Sequence, residues 1–131
     1  MLGKDLGGSM RRKFRDTYAI YYSAADKRWI AHSLRTDQMG TGNCILDALV
    51  DGLRAIDQVL DYADKHPGTK VLTPAPPEIF ALAKDANRLP EELADIAHKT
   101  LYGEWPDAIK PSFEVDENEV FKQSVWETSP A

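Results

Sequence analysis

Two stretches near the start of the chain alternate between residue types in the way that is typical of β-strands. Every second residue from Thr17 to Ala24 falls on one face, and the residues from Trp29 to Leu34 repeat the pattern. Their aromatic and β-branched content favours strands, and the polar residues 25–28 between them predict a hairpin. We expect Tyr21 and Trp29 to pair across this hairpin, and at most a short third strand from Gln38 to Thr41 to follow it.

From Cys44 to Lys65 the pattern changes to that of an amphipathic helix. Apolar residues recur every three or four positions and form one stripe, while aspartates occupy much of the opposite face. The sequence His66, Pro67, Gly68 predicts the end of this helix. The stripe needs a sheet to cover, and the hairpin offers one. The residues of this apolar stripe are Ile45, Leu49, Leu53, Ile56, Leu60 and Ala63.

The second half of the chain predicts shorter elements. Lys70–Thr73 predicts a short strand that ends at a cluster of prolines, which is the best boundary in the chain. Pro77–Asn87 and Pro90–Tyr102 each predict a short helix with proline in the first turn, and we expect them to form an αα-hairpin. The acidic tail, 103–131, carries four aromatic residues, which predicts that it packs on the rest of the chain, with a strand at 113–115 or 120–126.

Length and composition indicate one globular domain. The chain has 131 residues, of which 43% are hydrophobic and 28% charged. We interpret residues 1–9, which are rich in glycine, as a linker added by cloning, with the natural chain beginning at Met10. No apolar stretch is long enough to span a membrane or to serve as a secretion signal, so we expect a cytoplasmic protein with no membrane partner.

Charge is distributed unevenly along the chain. Residues 1–36 carry eight Lys or Arg against three Asp or Glu, whereas residues 37–131 carry eight against eighteen. An acidic body repels phosphate backbones and attracts basic proteins. This charge distribution therefore favours a small basic protein as partner over a nucleic acid that contacts a large part of the surface.

The residues that most often carry chemistry are sparse. Cys44 is the one cysteine, and its position at a helix start predicts a lowered thiol pKa, but without a base at a known distance we do not expect it to be catalytic. His32, His66 and His98 are dispersed, so they form no zinc cluster and are assigned packing or capping roles. The helix aspartates lie on its polar side instead of converging. We expect no catalytic residue, no metal and no cofactor.

One stretch resembles a known family. The hairpin, Y-A-I-Y-Y-S-A-A-D-K-R-W-I-A-H-S-L, followed by G-N-C-I-L-D-A-L, is similar to the HicB-like antitoxin domain, in which a Gly-Asp-Thr-x-x-Glu-Ala motif opens the helix. Gly42, Asn43, Cys44, Asp47 and Ala48 occupy the motif positions, and the resemblance covers residues 14–74. The family motif is a capping box, and this chain departs from it at Cys44 and Asp47. Either Cys44 or Asn43 is then the N-cap of the helix.

The resemblance implies a fold and a function. The implied fold is an α+β domain of order β-β-β-α-β over residues 10–75, a truncated RNase H-like layer with one main helix on a small antiparallel sheet. We expect the helical hairpin and tail, residues 76–131, to pack on it. The implied function is binding of a small basic partner such as a toxin that cleaves messenger RNA, without enzymatic activity; alternatively, the chain is a diverged orphan of that family. We expect Tyr21, Trp29 and His32 to form the partner-binding surface, or a contact between copies of the chain in a homo-oligomer.

Two alternatives stay open. Residues 70–102 follow the strand, helix, helix order of a ribbon-helix-helix unit, which would make the protein a DNA-binding autorepressor, although this segment offers few basic residues. An RNase H-like enzyme acting on nucleic acid is the weaker alternative, because convergent carboxylates are missing.

Overall fold

The computed structural model describes residues 14–103 and 115–127. In these residues five strands form one mixed sheet, against which three helices pack, so the chain is an α+β protein, as predicted. The strands are β1 (Phe14–Ser23), β2 (Arg28–Ser33), β3 (Met39–Gly42), β4 (Asn87–Arg88) and β5 (Phe121–Glu127). The helices are α1 (Ile45–Lys65), α2 (Pro77–Lys84) and α3 (Glu91–Leu101).

The central strand of the sheet is β1. The spatial order is β3-β2-β1-β5-β4, in which β1 runs antiparallel to both β2 and β5, and β4 joins β5 in parallel. Ser33 of β2 and Gln123 of β5 both lie opposite Tyr18 of β1. One sheet therefore unites strands from both predicted segments, 10–75 and 76–131.

Helix α1 covers one face of the sheet. Five of the six predicted stripe residues are buried, and Ala63 in the last turn is partly buried. The fully buried Tyr18 hydroxyl donates a hydrogen bond to the carbonyl oxygen of Gly52 at 2.9 Å. Helix α3 contacts α1 and β5 and adds Leu93 and Ala97 to the same core. The amphipathic pattern of the long helix is confirmed.

Helix α2 lies on the opposite face. Its buried residues Ile79 and Ala83 pack with Ala19 and Ala75, and Tyr21 and Leu34 border this second cluster. Ala19 and Tyr21 alternate with the α1-facing residues of β1. The sheet is thus covered from both sides, by α1 with α3 and by α2.

The predicted strand at Lys70–Thr73 is wrong, because these residues have no regular secondary structure. Thr73 and Ala75 do donate backbone hydrogen bonds to the carbonyl oxygens of Arg35 and Leu34, at 2.9 and 3.0 Å. Prolines on either side of Ala75 have no N–H, so this pairing does not extend into a ladder. The strand beside β1 is instead β5. The β-β-β-α-β order and the purely antiparallel sheet are corrected accordingly.

The predicted αα-hairpin is also wrong. Helices α2 and α3 belong to separate clusters on opposite faces, and β4 lies between them. The amide groups of Asn87 and Leu89 donate to the carbonyl oxygens of Val120 and Lys122, at 3.0 and 3.1 Å, so the connection is held by β5. The strand, helix, helix order of a ribbon-helix-helix unit is therefore not formed.

The register of the hairpin differs from the prediction by one residue. Trp29 lies opposite Tyr22, and Tyr21 lies opposite Ile30. A shift of one residue moves a side chain to the other face of a sheet, so Tyr21 and Trp29 point away from each other. The Tyr22 and Trp29 rings meet edge to face, with centroids 5.5 Å apart.

Some predictions concern residues outside those that the structure describes, namely the linker 1–9, Trp105 and Phe113. The predicted strand at 120–126 corresponds to β5. None of the helices in the described ranges is apolar over a length that would cross a bilayer.

Candidate functional site

The three residues predicted to bind a partner are not on one surface. Trp29 is 4% exposed and packs between Tyr22 and Phe121 in the α1 core. Tyr21 and His32 lie on the opposite, α2-facing side of the sheet. The structure therefore brings Tyr21 and His32 together and separates Trp29 from them.

His32 is held by a hydrogen-bonded group at the end of β2. Its Nε2 lies 2.6 Å from Asp37 Oδ1, and its Nδ1 lies 3.5 Å from the Tyr21 hydroxyl. Asp37 has φ of 59°, a left-handed conformation that aspartate adopts more readily than most residues. Burial raises the pKa of the Tyr21 hydroxyl. With His32 5% exposed, this group fixes the turn into β3.

A second buried polar group was not predicted from the sequence. Asp16, 4% exposed, accepts backbone hydrogen bonds from Thr17 at 2.8 Å and Arg35 at 3.2 Å, and also accepts the Ser33 hydroxyl. Ser33 in turn accepts from the Thr36 amide at 3.0 Å. Burial raises the pKa of Asp16, and its hydrogen bonds with Ser33, Thr17 and Arg35 oppose that rise only in part. This group ties the end of β2 to β1.

Cys44 is the N-cap of α1. Its extended backbone precedes Ile45, and its Sγ accepts the Asp47 amide at 3.5 Å. Burial raises the thiol pKa, and the neighbouring Asp47 carboxylate also raises it, whereas hydrogen bonds from the backbone lower it. The predicted lowering of the thiol pKa is wrong, because desolvation outweighs the helix terminus.

The exposed side of α1 is acidic. The helix carries five aspartates against one arginine and one lysine. Arg54 pairs with Asp51 and Lys65 with Asp61, each at 3.3 Å, and the side chains of these two aspartates are 44% and 53% exposed. The other three are Asp47, Asp57 and Asp64. With five aspartates against two cations, the helix has an excess of negatively charged residues.

A basic groove lies on the opposite face of the molecule, beside α2. Its floor is formed by β1 and β5, where Thr17 lies opposite Ser124, and two adjoining depressions of about 410 and 300 Å³ share these residues, Leu34 and Phe80. The cations that line them are Arg15, Arg35, Lys84, Arg88 and Lys122. These residues are far apart in the sequence, so no local motif indicated the groove.

In the parts of the chain that the structure describes, no three His, Cys, Asp or Glu side chains are grouped so that they could hold a metal ion. Comparison of the chain with protein-family models, with curated proteins and with solved structures finds no match. The resemblance to the HicB-like domain therefore stays a hypothesis based on the hairpin and on the helix start.

Proposed function

We propose that this protein is a non-enzymatic binding protein of the HicB-like antitoxin type, which uses the acidic face of α1 to bind a small basic protein. The observation that carries the proposal is the separation of charge in the fold. The aspartates lie on the side of the helix away from its apolar stripe, which packs against the sheet and α3, and the basic groove lies on the other side of that sheet.

Electrostatic complementarity supports this choice of partner. A protein that binds and cleaves RNA needs a basic surface to neutralise phosphates. A helix of 21 residues is about 30 Å long, and aspartates along it present negative charge to such a surface. Binding there would shield the surface that the partner uses for RNA. Such complementarity raises the association rate and favours the correct partner.

The interface that we propose differs from the surface predicted from the hairpin. Trp29 is part of the core, so it is not an anchor that a partner can cover. Tyr21 and His32 face α2, on the opposite side from α1. The acidic side of α1 is accessible on the α1 face, where the side chains of Asp51 and Asp61 are 44% and 53% exposed.

Co-expression tests the proposal. A short basic open reading frame beside this gene should encode a protein that co-purifies with this chain as a complex of defined stoichiometry, measured by light scattering after size-exclusion chromatography. The complex should remove the RNA-cleaving activity of the partner. The absence of such a reading frame, or a mixture that elutes as two separate proteins, would contradict the antitoxin assignment.

A further inference from the structure

We propose that the basic groove beside α2 binds single-stranded nucleic acid. The groove is on the opposite face from the acidic side of α1, so this inference is independent of the partner proposed above. Its walls and floor come from α2, β1, β4 and β5, together with the residues that follow β2.

The lining cations are positioned by the backbone. Lys122 Nζ donates to the carbonyl oxygen of Lys84 at 3.4 Å, across the junction of β5 and α2. Arg35 donates to the carbonyl oxygen of Arg15 at 2.5 Å. A carbonyl oxygen orients a cation without cancelling its charge. These contacts therefore position Lys122 and Arg35 at the groove.

The carboxylate nearest the groove is turned inward. Asp16 is the one acidic residue among the described lining residues, and its oxygens accept hydrogen bonds from Ser33 and from backbone amides. It is 4% exposed, and burial raises its pKa, which disfavours its charged form. Five cations and this one buried carboxylate line the groove, so the charged residues of its lining are mostly positive even though the chain as a whole carries a net charge of −5.

An aromatic ring stands at the edge of this positive groove. Phe80 of α2 lines both depressions and is 44% exposed, although the neighbouring helix residues Ile79 and Ala83 are buried. On the floor, Thr17 and Ser124 are paired across β1 and β5 and line both depressions. An exposed ring beside cations is what a single strand requires, because its bases stack on aromatic rings and its phosphates pair with Lys and Arg.

The shape of the groove favours a single strand over a duplex or an acidic peptide. A duplex is read by an element that protrudes into one of its grooves, whereas this surface is concave and is walled by α2. A peptide made of acidic residues alone would use the cations but not the ring of Phe80. A single strand uses both, and its unpaired bases are free to stack.

Fluorescence anisotropy with labelled oligothymidylate of fifteen nucleotides tests the inference on the full chain. We expect binding that weakens steeply with salt. Lys84→Gln combined with Arg88→Gln should weaken binding about tenfold or more at low salt and should reduce the slope of log K against log salt by about 1.4, since each phosphate contact contributes about 0.7 for single strands. Lys65→Gln combined with Lys70→Gln removes the same charge outside the groove and should change the affinity less than twofold.

Phe80 provides a separate readout. Phe80→Ala should weaken oligothymidylate binding about fivefold or more, whereas Phe80→Tyr keeps the ring and should preserve the affinity. Circular dichroism of each variant establishes that the fold is retained. The inference is overturned if oligothymidylate does not bind, if the two double variants weaken binding equally, or if a fifteen-base-pair duplex or a polyglutamate peptide binds more tightly than the single strand.

Discussion

Gly40 of β3 lies so close to the backbone of α1 at Gly52 that the strand has no room for a side chain at this position. A Cβ atom built on Gly40 would lie 2.0 Å from the Gly52 backbone nitrogen, and one built on Gly52 would lie 2.5 Å from the Tyr18 ring. This close approach places α1 directly against β3, which is at the edge of the sheet. It also allows Asp51 to accept the Thr41 amide at 2.9 Å.

Gly40→Ala should therefore separate α1 from β3. We expect a loss of about 2 kcal/mol or more in the free energy of unfolding, because the atoms that a methyl group would meet are backbone atoms, which have little room to move. Urea unfolding measures the change. Met39→Ala, at a neighbouring position that is 54% exposed, is the control and should cost less than about 0.5 kcal/mol. An equal loss in both variants would contradict the close contact.

Trp29→Ala tests the corrected position of the tryptophan. Because Trp29 packs against Tyr22 and Phe121 in the core, its removal should cost about 3 to 5 kcal/mol of stability. Tyr62→Ala, which removes an aromatic ring that is 49% exposed, should cost much less. Thermal unfolding of both variants gives the comparison. A Trp29→Ala protein as stable as the wild type would place the indole on the surface.

The start of α1 allows a stabilising substitution. Cys44→Thr replaces a long sulfur contact to the Asp47 amide, at 3.5 Å, with a hydroxyl oxygen that accepts this amide better. We expect a gain of some fraction of about 1 kcal/mol in the free energy of unfolding. Asn43→Ala should be nearly neutral, because Asn43 is not the cap. The opposite order of denaturant midpoints would assign the cap to Asn43.

The raised pKa of Asp16 gives a pH dependence of defined sign. The folded state holds a proton on Asp16 more tightly than the unfolded state does, where the ordinary value is 3.8. The stability that the protonated form of Asp16 contributes to the folded state is therefore fully present below pH 3.8. It is lost as the pH rises through the higher pKa of the folded state. Asp16→Asn cannot lose a proton, so its stability relative to the wild type should increase with pH across this window. A relative stability that falls with pH would contradict the raised pKa.

The long helix and the hairpin were predictable because their patterns are local. Apolar residues recur every three or four positions from Ile45 to Leu60, and packing against a single sheet buries them. The hairpin register was not predictable to one residue, because the polar stretch 25–28 allows either pairing. Lys70–Thr73 has the composition of a strand. It forms none, because the prolines that follow it interrupt backbone pairing and β5 occupies the position beside β1.

The surfaces of the molecule were predictable only in part. The excess of aspartate on α1 is visible in the sequence, whereas the basic groove unites Arg15, Lys84 and Lys122 from separate elements. Their proximity depends on β5 returning to pair with β1, which is a contact between distant parts of the chain. The Asp16 group depends on the register of β1 and β2 for the same reason.

The most direct test of the proposed function is the affinity of the chain for the basic protein encoded beside its gene, measured by isothermal titration calorimetry with charge-reversed variants. Asp61→Lys combined with Asp64→Lys places two cations on the exposed side of α1 and should weaken binding at least tenfold, with a reduced dependence on salt. Glu92→Lys combined with Glu117→Lys makes the same change in net charge at exposed positions outside α1 and should alter the affinity less than threefold. Equal weakening by the two double variants, or unchanged binding by the α1 variant, would contradict an interface on the acidic face of α1.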